Sequence, residues 1–148
     1  MLDAGPPRDA PIELLSAFDV VSPNEKELAA LSGREVRSIK SAGVAAKELA
    51  GAGVKRIVVK MGAQGALLLV GGEAVHVPPF EIDAVDSTGA GDAFTAGLAV
   101  ALSEGAGDDE AVRFANAAGA TAVTVLGAIP SMPERSAVER LLARGESA

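Results

Sequence analysis

Short apolar runs and longer helical patterns succeed one another along this chain. The runs at 18–23, 54–62 and 65–70 have the length and the β-branched or aliphatic content of buried strands. The stretches 38–52 and 91–104 are rich in alanine and long enough for amphipathic helices. Because such strands and helices alternate, we predict an α/β domain with a mostly parallel sheet flanked by helices.

Turn and cap residues set the expected boundaries of these elements. Asn24 is a good N-cap for a helix that stops at Gly33. Gly71 and Gly72 between two strand-like runs favour a β-hairpin. A further helix is expected from near Asp108 through Gly127, and the segment AIPSMPERSAVERLLAR predicts a Pro-rich loop and a last helix.

The chain has 148 residues, enough for one domain with its own core. The pattern shows no internal repeat or linker, so we expect residues 1–148 to form a single domain portion. The segment LDAGPP at 2–7 is typical of a strand end and the loop after it. The apolar body of that strand does not precede it, which suggests a chain that begins partway through a fold.

Composition narrows the possible partners. The net charge is -7 and the chain has no Trp or Tyr, which argues against a nucleic-acid partner. The absence of Cys removes disulfides, thiolate metal sites and a Cys nucleophile. Backbone amides can still bind a small anion at this net charge.

The sequence also predicts a location. No apolar run reaches the length of a membrane span, and MLDAGPPRDAP lacks the basic and apolar regions of a signal peptide. We therefore expect a cytoplasmic protein with no membrane partner.

The stretch AVDSTGAGDAFTAG at 84–97 carries the strongest chemical signal. Gly89, Ala90 and Gly91 have little or no side chain, so a ligand can approach the backbone at the start of the following helix. Free amides and the helix dipole there favour a phosphate. Asp92 would stand beside that anion, as a base for an attacking hydroxyl requires. The alternative is a tight turn followed by an ordinary helix-start acid.

Two other phosphate-binding patterns are absent from this loop. Position 94 is Phe, so the loop is not G-x-G-x-x-G, and no Gly-Lys-Ser/Thr makes it a Walker A motif. A dinucleotide-dependent oxidoreductase is therefore disfavoured.

Three further segments offer candidate ligand residues. Asn24 and Glu27 lie three apart at a helix start, where they either bind a ligand or only cap the helix. Gly62 and Gly65 leave room for a flat or phosphorylated ligand, or form an ordinary hairpin turn. Asn116 borders an aromatic ligand lying on its alanine-rich helix, or is a surface residue.

Two single residues complete the candidates. Lys60, at a strand end, either reaches a phosphate or is a solvated lysine. His76 is the only histidine and is expected to be structural, which excludes a Ser-His-Asp triad.

Taken in order, these motifs resemble the ribokinase-like (PfkB-type) carbohydrate kinases. DSTGAGDAF resembles the C-terminal signature of that family, PNEKE its N-x-x-E motif, and VTVLGAIPSMP its closing segment. The resemblance runs from near residue 2 to near residue 143. It implies a ribokinase-like fold and ATP-dependent phosphorylation of a sugar or sugar-like alcohol.

The resemblance also implies roles for individual residues. Asp92 matches the catalytic base, and Gly89, Ala90 and Gly91 match the anion hole for the transferring phosphoryl group. Asn24 and Glu27 match the residues that organise phosphate and Mg²⁺, Glu27 through water. Gly62 and Gly65 match the nucleotide loop, with Lys60 nearby in sequence, and Asn116 matches a position that flanks adenine.

A monovalent-cation site, with K⁺ as the candidate ion, is implied as well. Its matched groups are the Asp86 carboxylate, the Ser131 hydroxyl and the carbonyls of Thr88, Ala122, Val125 and Gly127.

One departure from the family is large. Family members are about twice this length, and most of their sugar-binding residues lie in an N-terminal half that has no counterpart here. The alternative function is therefore a non-catalytic nucleotide-binding or assembly fragment. We expect the chain alone to bind ATP–Mg²⁺ weakly at most and not to phosphorylate a sugar. We also expect an uncovered apolar strand edge near 18–21 to promote homo-oligomers.

Overall fold

The computed structural model describes residues 1–7 and 10–145. Its strands are β1 (Leu2–Asp3), β2 (Val21–Ser22), β3 (Arg56–Lys60), β4 (Ala66–Val70) and β5 (Glu73–Val77). Its helices are α1 (Ile12–Ser16), α2 (Glu25–Ser32), α3 (Ile39–Gly51), α4 (Ala90–Ser103), α5 (Asp108–Ala122) and α6 (Arg135–Gly145). A single 3₁₀ turn, Gly62–Gln64, joins β3 to β4.

The five strands form one mixed sheet in the order β1-β2-β3-β4-β5. β1, β2 and β3 are parallel, whereas β4 and β5 form an antiparallel hairpin on β3. The α/β class is therefore confirmed, and so is the hairpin expected at Gly71 and Gly72. Because β1, β2 and β3 run parallel, the residues that follow them lie at the same edge of the sheet.

The chain divides into two compact units, residues 1–77 and 78–148. The first unit holds the whole sheet with α1, α2 and α3, and the second holds α4, α5 and α6. A single domain portion over 1–148 stays a prediction.

The core of the first unit lies between the sheet and its helices. Alternate residues of β3 and β4, such as Ile57, Val59, Leu67 and Leu69, face this core, as period-two strands require. The helical alanines and leucines of α2 and α3 complete it, namely Leu28, Ala42, Ala45, Ala46 and Leu49.

Small residues let α4 and α5 pack closely in the second unit. A Cβ at Gly97 would lie 3.0 Å from the Cβ of Ala118 and 3.4 Å from the Cα of Ala115. A larger side chain at Gly97 would therefore push the helices apart. α6 packs on α5 through Val138, against Ala117 and Ala118.

Helix α5 ends earlier than the sequence indicated. It stops at Ala122, whereas the pattern predicted a helix through Gly127. A helical Gly127 amide would donate to the carbonyl of Val123. That carbonyl instead accepts from the amides of Val85 and Asp86, at 2.7 and 3.1 Å, and the Gly127 amide donates to the Asp86 carboxylate.

The expectation of an uncovered strand edge near 18–21 is wrong. β2 is an interior strand, because Leu2 of β1 pairs with Val21 on one side and Ile57 of β3 pairs with Val21 on the other. Within the described residues the edges of the sheet are β1 and β5. Residues 18–21 therefore give no reason to expect self-association.

Helix α1 was not anticipated, because five residues carry too little periodicity to be recognised.

Among the described helices, none is long and apolar enough to span a membrane.

Candidate functional site

Asn24 and Glu27 form a reciprocal capping box at the start of α2. The Asn24 side-chain oxygen accepts from the amides of Lys26 and Glu27 at 2.9 and 3.0 Å. One oxygen of Glu27, Oε2, accepts from the Asn24 amide at 2.7 Å, and the other, Oε1, accepts from Asn24 Nδ2 at 2.8 Å. The sequence therefore predicted this cap correctly, and a ligand role for the pair remains a prediction.

The Glu27 carboxylate is also enclosed by the loop after β1. Glu27 is 6% exposed. A Cβ at Gly5 would lie 3.0 Å from Glu27 Oε1, so the backbone at Gly5 approaches this oxygen closely. The carboxylate is therefore buried and held in one position by Asn24.

Lys60 is not the solvated lysine that one interpretation of the sequence gave. Its side chain is 11% exposed, and its Nζ lies 2.9 Å from both carboxylate oxygens of Asp3. The ion pair links the end of β1 to the end of β3, 57 residues away. A phosphate-binding role for Lys60 remains a prediction, and it would now have to operate alongside Asp3.

The turn after β3 has a conformation that favours its two glycines. Gly62 has φ +52° and Gly65 has φ +83°. The turn is closed by bonds from the Met61 amide to the Gly65 carbonyl, at 2.9 Å, and from the Gly65 amide to the Gly62 carbonyl, at 3.0 Å. These two glycines therefore define a tight, shaped turn, and its contact with a nucleotide stays a prediction.

In the second unit, the fold requires a glycine at position 89 but not at position 91. Gly89, the N-cap of α4, has φ +81°, and a Cβ there would lie 2.9 Å from the Met132 Cε and 3.2 Å from the Ala128 Cα. Gly91 is helical and has no atom within 4 Å of a built Cβ. A side chain would therefore strain the turn at Gly89, where φ is positive, and not at Gly91.

The start of α4 leaves backbone donors available. The Ala90 amide donates to the Ser87 carbonyl at 3.2 Å and the Ala93 amide to the Gly89 carbonyl at 2.9 Å. Among the described residues, the amides of Gly91 and Asp92 donate to no acceptor. Such amides at a helix N-terminus are suited to an anion.

Asp92 lies in the first turn of α4 and is exposed. Within the described part of the chain its carboxylate makes no hydrogen bond or ion pair. It is therefore open to a ligand from outside, as a base must be.

Asp86 has a different environment from Asp92. Its Oδ1 accepts from the amide and the hydroxyl of Thr88, at 2.9 and 2.7 Å, and its Oδ2 accepts from the Gly127 amide at 2.8 Å. The bonds from the Thr88 and Gly127 amides, and then the Thr88 hydroxyl, lower the pKa of Asp86 below its ordinary value. The carboxylate is therefore ionised and fixed in place.

Ser131 brings further oxygens to the same part of the second unit. It is 2% exposed, and its hydroxyl donates to the Ala128 carbonyl at 2.8 Å and lies 3.5 Å from the Thr88 carbonyl. The carbonyls of Ala122 and Gly127 already accept amide bonds from Val125 and Ser131. No described group of three or more His, Cys, Asp and Glu side chains could hold a metal ion. A site here would depend on carbonyl and hydroxyl oxygens.

One interpretation of the sequence placed Asn116 at the surface, and that interpretation is wrong. It is 8% exposed and its Nδ2 donates to the Pro78 carbonyl at 3.1 Å. The amide therefore anchors the segment after β5 to α5, and its proximity to an adenine ring remains a prediction.

Two contacts around these residues were not found from the sequence. Asp3 was part of a strand-end pattern, but nothing in that pattern connected it to Lys60. His76 was expected to be structural, and its ring is hydrogen-bonded to the Gln64 carbonyl at 2.7 Å. Neither contact has a local signal, since each depends on which strands become neighbours.

Curated proteins similar to this chain are more than twice its length. The chain is 43% identical over 148 residues to a ribokinase of Arabidopsis thaliana, a match that covers 96% of this chain and 38% of the relative. It is 38% identical over 135 residues to a ribokinase of Haemophilus influenzae, covering 91% of this chain and 44% of the relative. The chain thus spans less than half the length of either relative.

Solved structures give the same family of folds. The Arabidopsis thaliana ribokinase complexed with ribose and ATP superposes with a TM-score of 0.84 at 43% identity, covering 90% of this chain and 44% of that structure. Phosphofructokinase-2 of Escherichia coli in complex with potassium gives a TM-score of 0.79 at 33% identity, covering 92% and 46%.

The sequence pattern of the pfkB family carbohydrate kinases matches residues 1–135. That range contains all three motifs on which the resemblance rested, and the fold agrees with the family's solved structures. The chain belongs to the pfkB family of carbohydrate kinases.

Proposed function

We propose that this chain is the nucleotide-side portion of a kinase that phosphorylates a sugar or sugar-like alcohol with ATP. The observation that carries the proposal is the start of α4. Two backbone amides there are unbonded within the described residues, space is open at Gly91, and Asp92 lies exposed in the same turn. An anion site next to a carboxylate is the arrangement that phosphoryl transfer to a hydroxyl needs.

In this mechanism Asp92 accepts the proton of the acceptor hydroxyl. The amides of Gly91 and Asp92, with the loop at Gly89 and Ala90, stabilise charge on the transferring phosphoryl group. ATP supplies that phosphoryl group, as a ribokinase relative crystallised with ribose and ATP suggests. Each of these groups is on one rigid helix start, so their mutual positions are fixed by the fold.

Glu27 and Asn24 are proposed to organise Mg²⁺ and phosphate. Glu27 is suited to this role because its bonds to Asn24 hold the carboxylate in a fixed position. Mg²⁺ retains several of its waters in proteins, and a fixed carboxylate can hold such waters. Bound Mg²⁺ would supply neutralisation of phosphate charge.

Asp86 and Ser131 are proposed to take part in a monovalent-cation site with K⁺ as the ion. An ionised carboxylate, a buried hydroxyl and nearby carbonyls are the oxygen ligands that hard cations prefer. The solved complex of a phosphofructokinase-2 relative with potassium supports this choice. Thr88, Ala122, Val125 and Gly127 would contribute backbone carbonyls.

Gly62 and Gly65, with Asn116, are proposed to border the nucleotide. The acceptor is proposed to be a sugar hydroxyl, since the relatives include ribokinases and phosphofructokinases. The alternative is a non-catalytic nucleotide-binding or assembly fragment, which the similarity to ribokinases does not favour.

Two measurements on the purified chain test the proposal. ATP–Mg²⁺ should shift the amide NMR signals of Gly62, Gly65, Gly91 and Asp92, with a weak affinity. A panel of sugars with ATP, Mg²⁺ and K⁺ should give no turnover, because the chain spans less than half the length of its ribokinase relatives. Unchanged amide signals at millimolar ATP–Mg²⁺ would refute the nucleotide role, and robust turnover by the chain alone would refute its description as a partial kinase.

A further inference from the structure

The only histidine of the chain is bound to the turn that is proposed to contact the nucleotide. The Nε2 atom of His76 lies 2.7 Å from the backbone carbonyl oxygen of Gln64. Gln64 belongs to the 3₁₀ turn Gly62–Gln64, and His76 belongs to β5. The contact therefore connects the edge strand of the sheet to the turn between β3 and β4.

The chemistry of the two atoms fixes which one donates. A carbonyl oxygen can only accept, so His76 Nε2 must carry the hydrogen. The neutral ring is then the Nε2–H tautomer, and Nδ1 is the nitrogen that takes up a further proton. A 2.7 Å separation is short and favourable for an N–H···O bond.

The register of the sheet explains how His76 comes to lie near the turn. Ala66 pairs with Val77 and Leu67 with His76, so His76 stands one pair beyond the start of β4. Cross-strand partners share a face of the sheet, and Leu67 faces the core of the first unit. The imidazole thus starts from that face at the sheet edge, within reach of the turn before β4.

The other bonds of the turn are local. Gln64 donates its amide to Met61, at 2.9 Å, and Gly65 donates to Gly62, at 3.0 Å. Two of these residues, Gly62 and Gly65, have positive φ, which glycine adopts without cost but does not enforce. The bond from His76 adds a link from another strand to these local bonds and fixes the Gln64 carbonyl against β5.

We propose that His76 is a positioning residue that holds the Gly62–Gly65 turn in its nucleotide-binding conformation through the Gln64 carbonyl. This inference rests on the proposed function, because it takes that turn to contact ATP. His76 itself touches no reacting atom. Its removal should weaken ATP–Mg²⁺ affinity by about 2- to 12-fold, which is the range expected for one modest hydrogen bond.

The first measurement needs no nucleotide. Because the chain has one histidine, a long-range ¹H–¹⁵N correlation spectrum contains a single imidazole pattern. In mildly alkaline solution, the neutral ring should show a protonated Nε2 and an unprotonated Nδ1. The Nδ1–H tautomer would overturn the inference.

The second measurement compares ATP–Mg²⁺ titrations of three variants with the parent chain. His76→Phe keeps a ring and loses the donor, so affinity should fall and the amide signals of Gly62 and Gly65 should move without ligand. His76→Gln restores a side-chain N–H and should recover most of the affinity. Val75→Thr, at the neighbouring β5 position, should match the parent.

The outcomes separate the inference from the proposed function. Equal affinity of His76→Phe and the parent would overturn the role of His76 while leaving the nucleotide site intact. Absence of any ATP–Mg²⁺ response in the parent would overturn the proposed function, and the inference with it. A recovery by His76→Gln would support positioning over a general loss of stability, because a purely steric role would not be restored by a donor.

Discussion

The Oδ2 atom of Asp86 accepts a hydrogen bond from the backbone amide of Gly127 at 2.8 Å, although 41 residues separate them. The Asp86 amide also donates to the Val123 carbonyl at 3.1 Å. Together these bonds attach the segment before the Gly89–Gly91 loop to the segment after α5. One residue, Asp86, therefore connects the end of α5 to the start of α4.

The first prediction concerns the pH dependence of stability. The pKa of Asp86 is lowered in the folded state, so the ionised carboxylate stabilises the fold. This stabilisation is fully present above the ordinary Asp pKa of about 3.9, and it is lost as the pH falls through the lower pKa of the folded state. Asp86→Asn should lower Tm at neutral pH, and the gap between variant and parent should narrow below about pH 4. Thermal unfolding from neutral to acid pH measures this.

Asp83→Asn is the matched control, since Asp83 is exposed three residues earlier. It should change Tm little at every pH. The contrary result is a Tm difference between Asp86→Asn and the parent that stays constant down to acid pH. It would mean that the charge of Asp86 does not strengthen the contact with Gly127.

The second prediction contrasts two glycines of the same loop. Gly89→Ala should destabilise the chain by about 1–3 kcal/mol, because Gly89 has φ +81° and its Cβ would meet Met132 and Ala128. Gly91→Ala should be neutral or slightly stabilising, since Gly91 is helical and its Cβ has open space. Chemical denaturation of both variants measures the difference.

A branched residue at Gly91 tests the proposed anion site separately from the stability of the fold. Gly91→Val should keep most of the stability while obstructing access of phosphate to the amides of Gly91 and Asp92. We expect that ATP–Mg²⁺ no longer shifts the NMR signals of these amides in Gly91→Val, whereas its Tm stays near that of Gly91→Ala. Unaltered shifts would argue that no phosphate approaches this helix start.

The third prediction separates two roles for Lys60. Lys60→Met should destabilise the chain by about 1–3 kcal/mol, an amount reduced from that of a fully buried pair because Asp3 is 34% exposed. The double variant Asp3→Asn/Lys60→Met should be less destabilised than the sum of the single variants, since the two groups interact. Denaturant unfolding of the four proteins gives the coupling energy.

ATP–Mg²⁺ titration of the same four proteins then tests the ligand role. If Lys60 binds phosphate, the double variant should be more stable than the sum of the single effects predicts, but it should still bind ATP–Mg²⁺ more weakly than the parent. Recovery of both stability and ATP–Mg²⁺ affinity would mean that Lys60 only links β1 to β3 and does not bind phosphate.

Local signals in the sequence were sufficient for much of this fold. Asn24 and Gly33 delimit α2 as predicted, because the cap geometry depends on residues within one turn. Gly71 and Gly72 both have positive φ in the hairpin, which their identity favours. The helix start at Gly89, the most distinctive motif of the chain, was equally readable from its glycines.

Contacts between distant segments could not be predicted in the same way. The early end of α5 depends on Val123 and Gly127 finding Asp86 as a partner, and no local pattern announces this. The pairing of Asp3 with Lys60 depends on β1 and β3 flanking β2. The mistaken strand edge at 18–21 has the same origin, because two residues of β1 were enough to cover β2.

The base role of Asp92 is the central claim, and it requires an active kinase as its assay. A chimera can provide one, in which this chain replaces the matching part of the Arabidopsis thaliana ribokinase, with which it shares 43% identity over 148 residues. The decisive measurement is the kcat of that chimera and of its Asp92→Asn variant, alongside their ATP affinities. We predict an active chimera whose kcat falls by about 10²-fold or more on loss of the base, with ATP affinity unchanged. Near-parental turnover by the Asp92→Asn chimera would contradict the account.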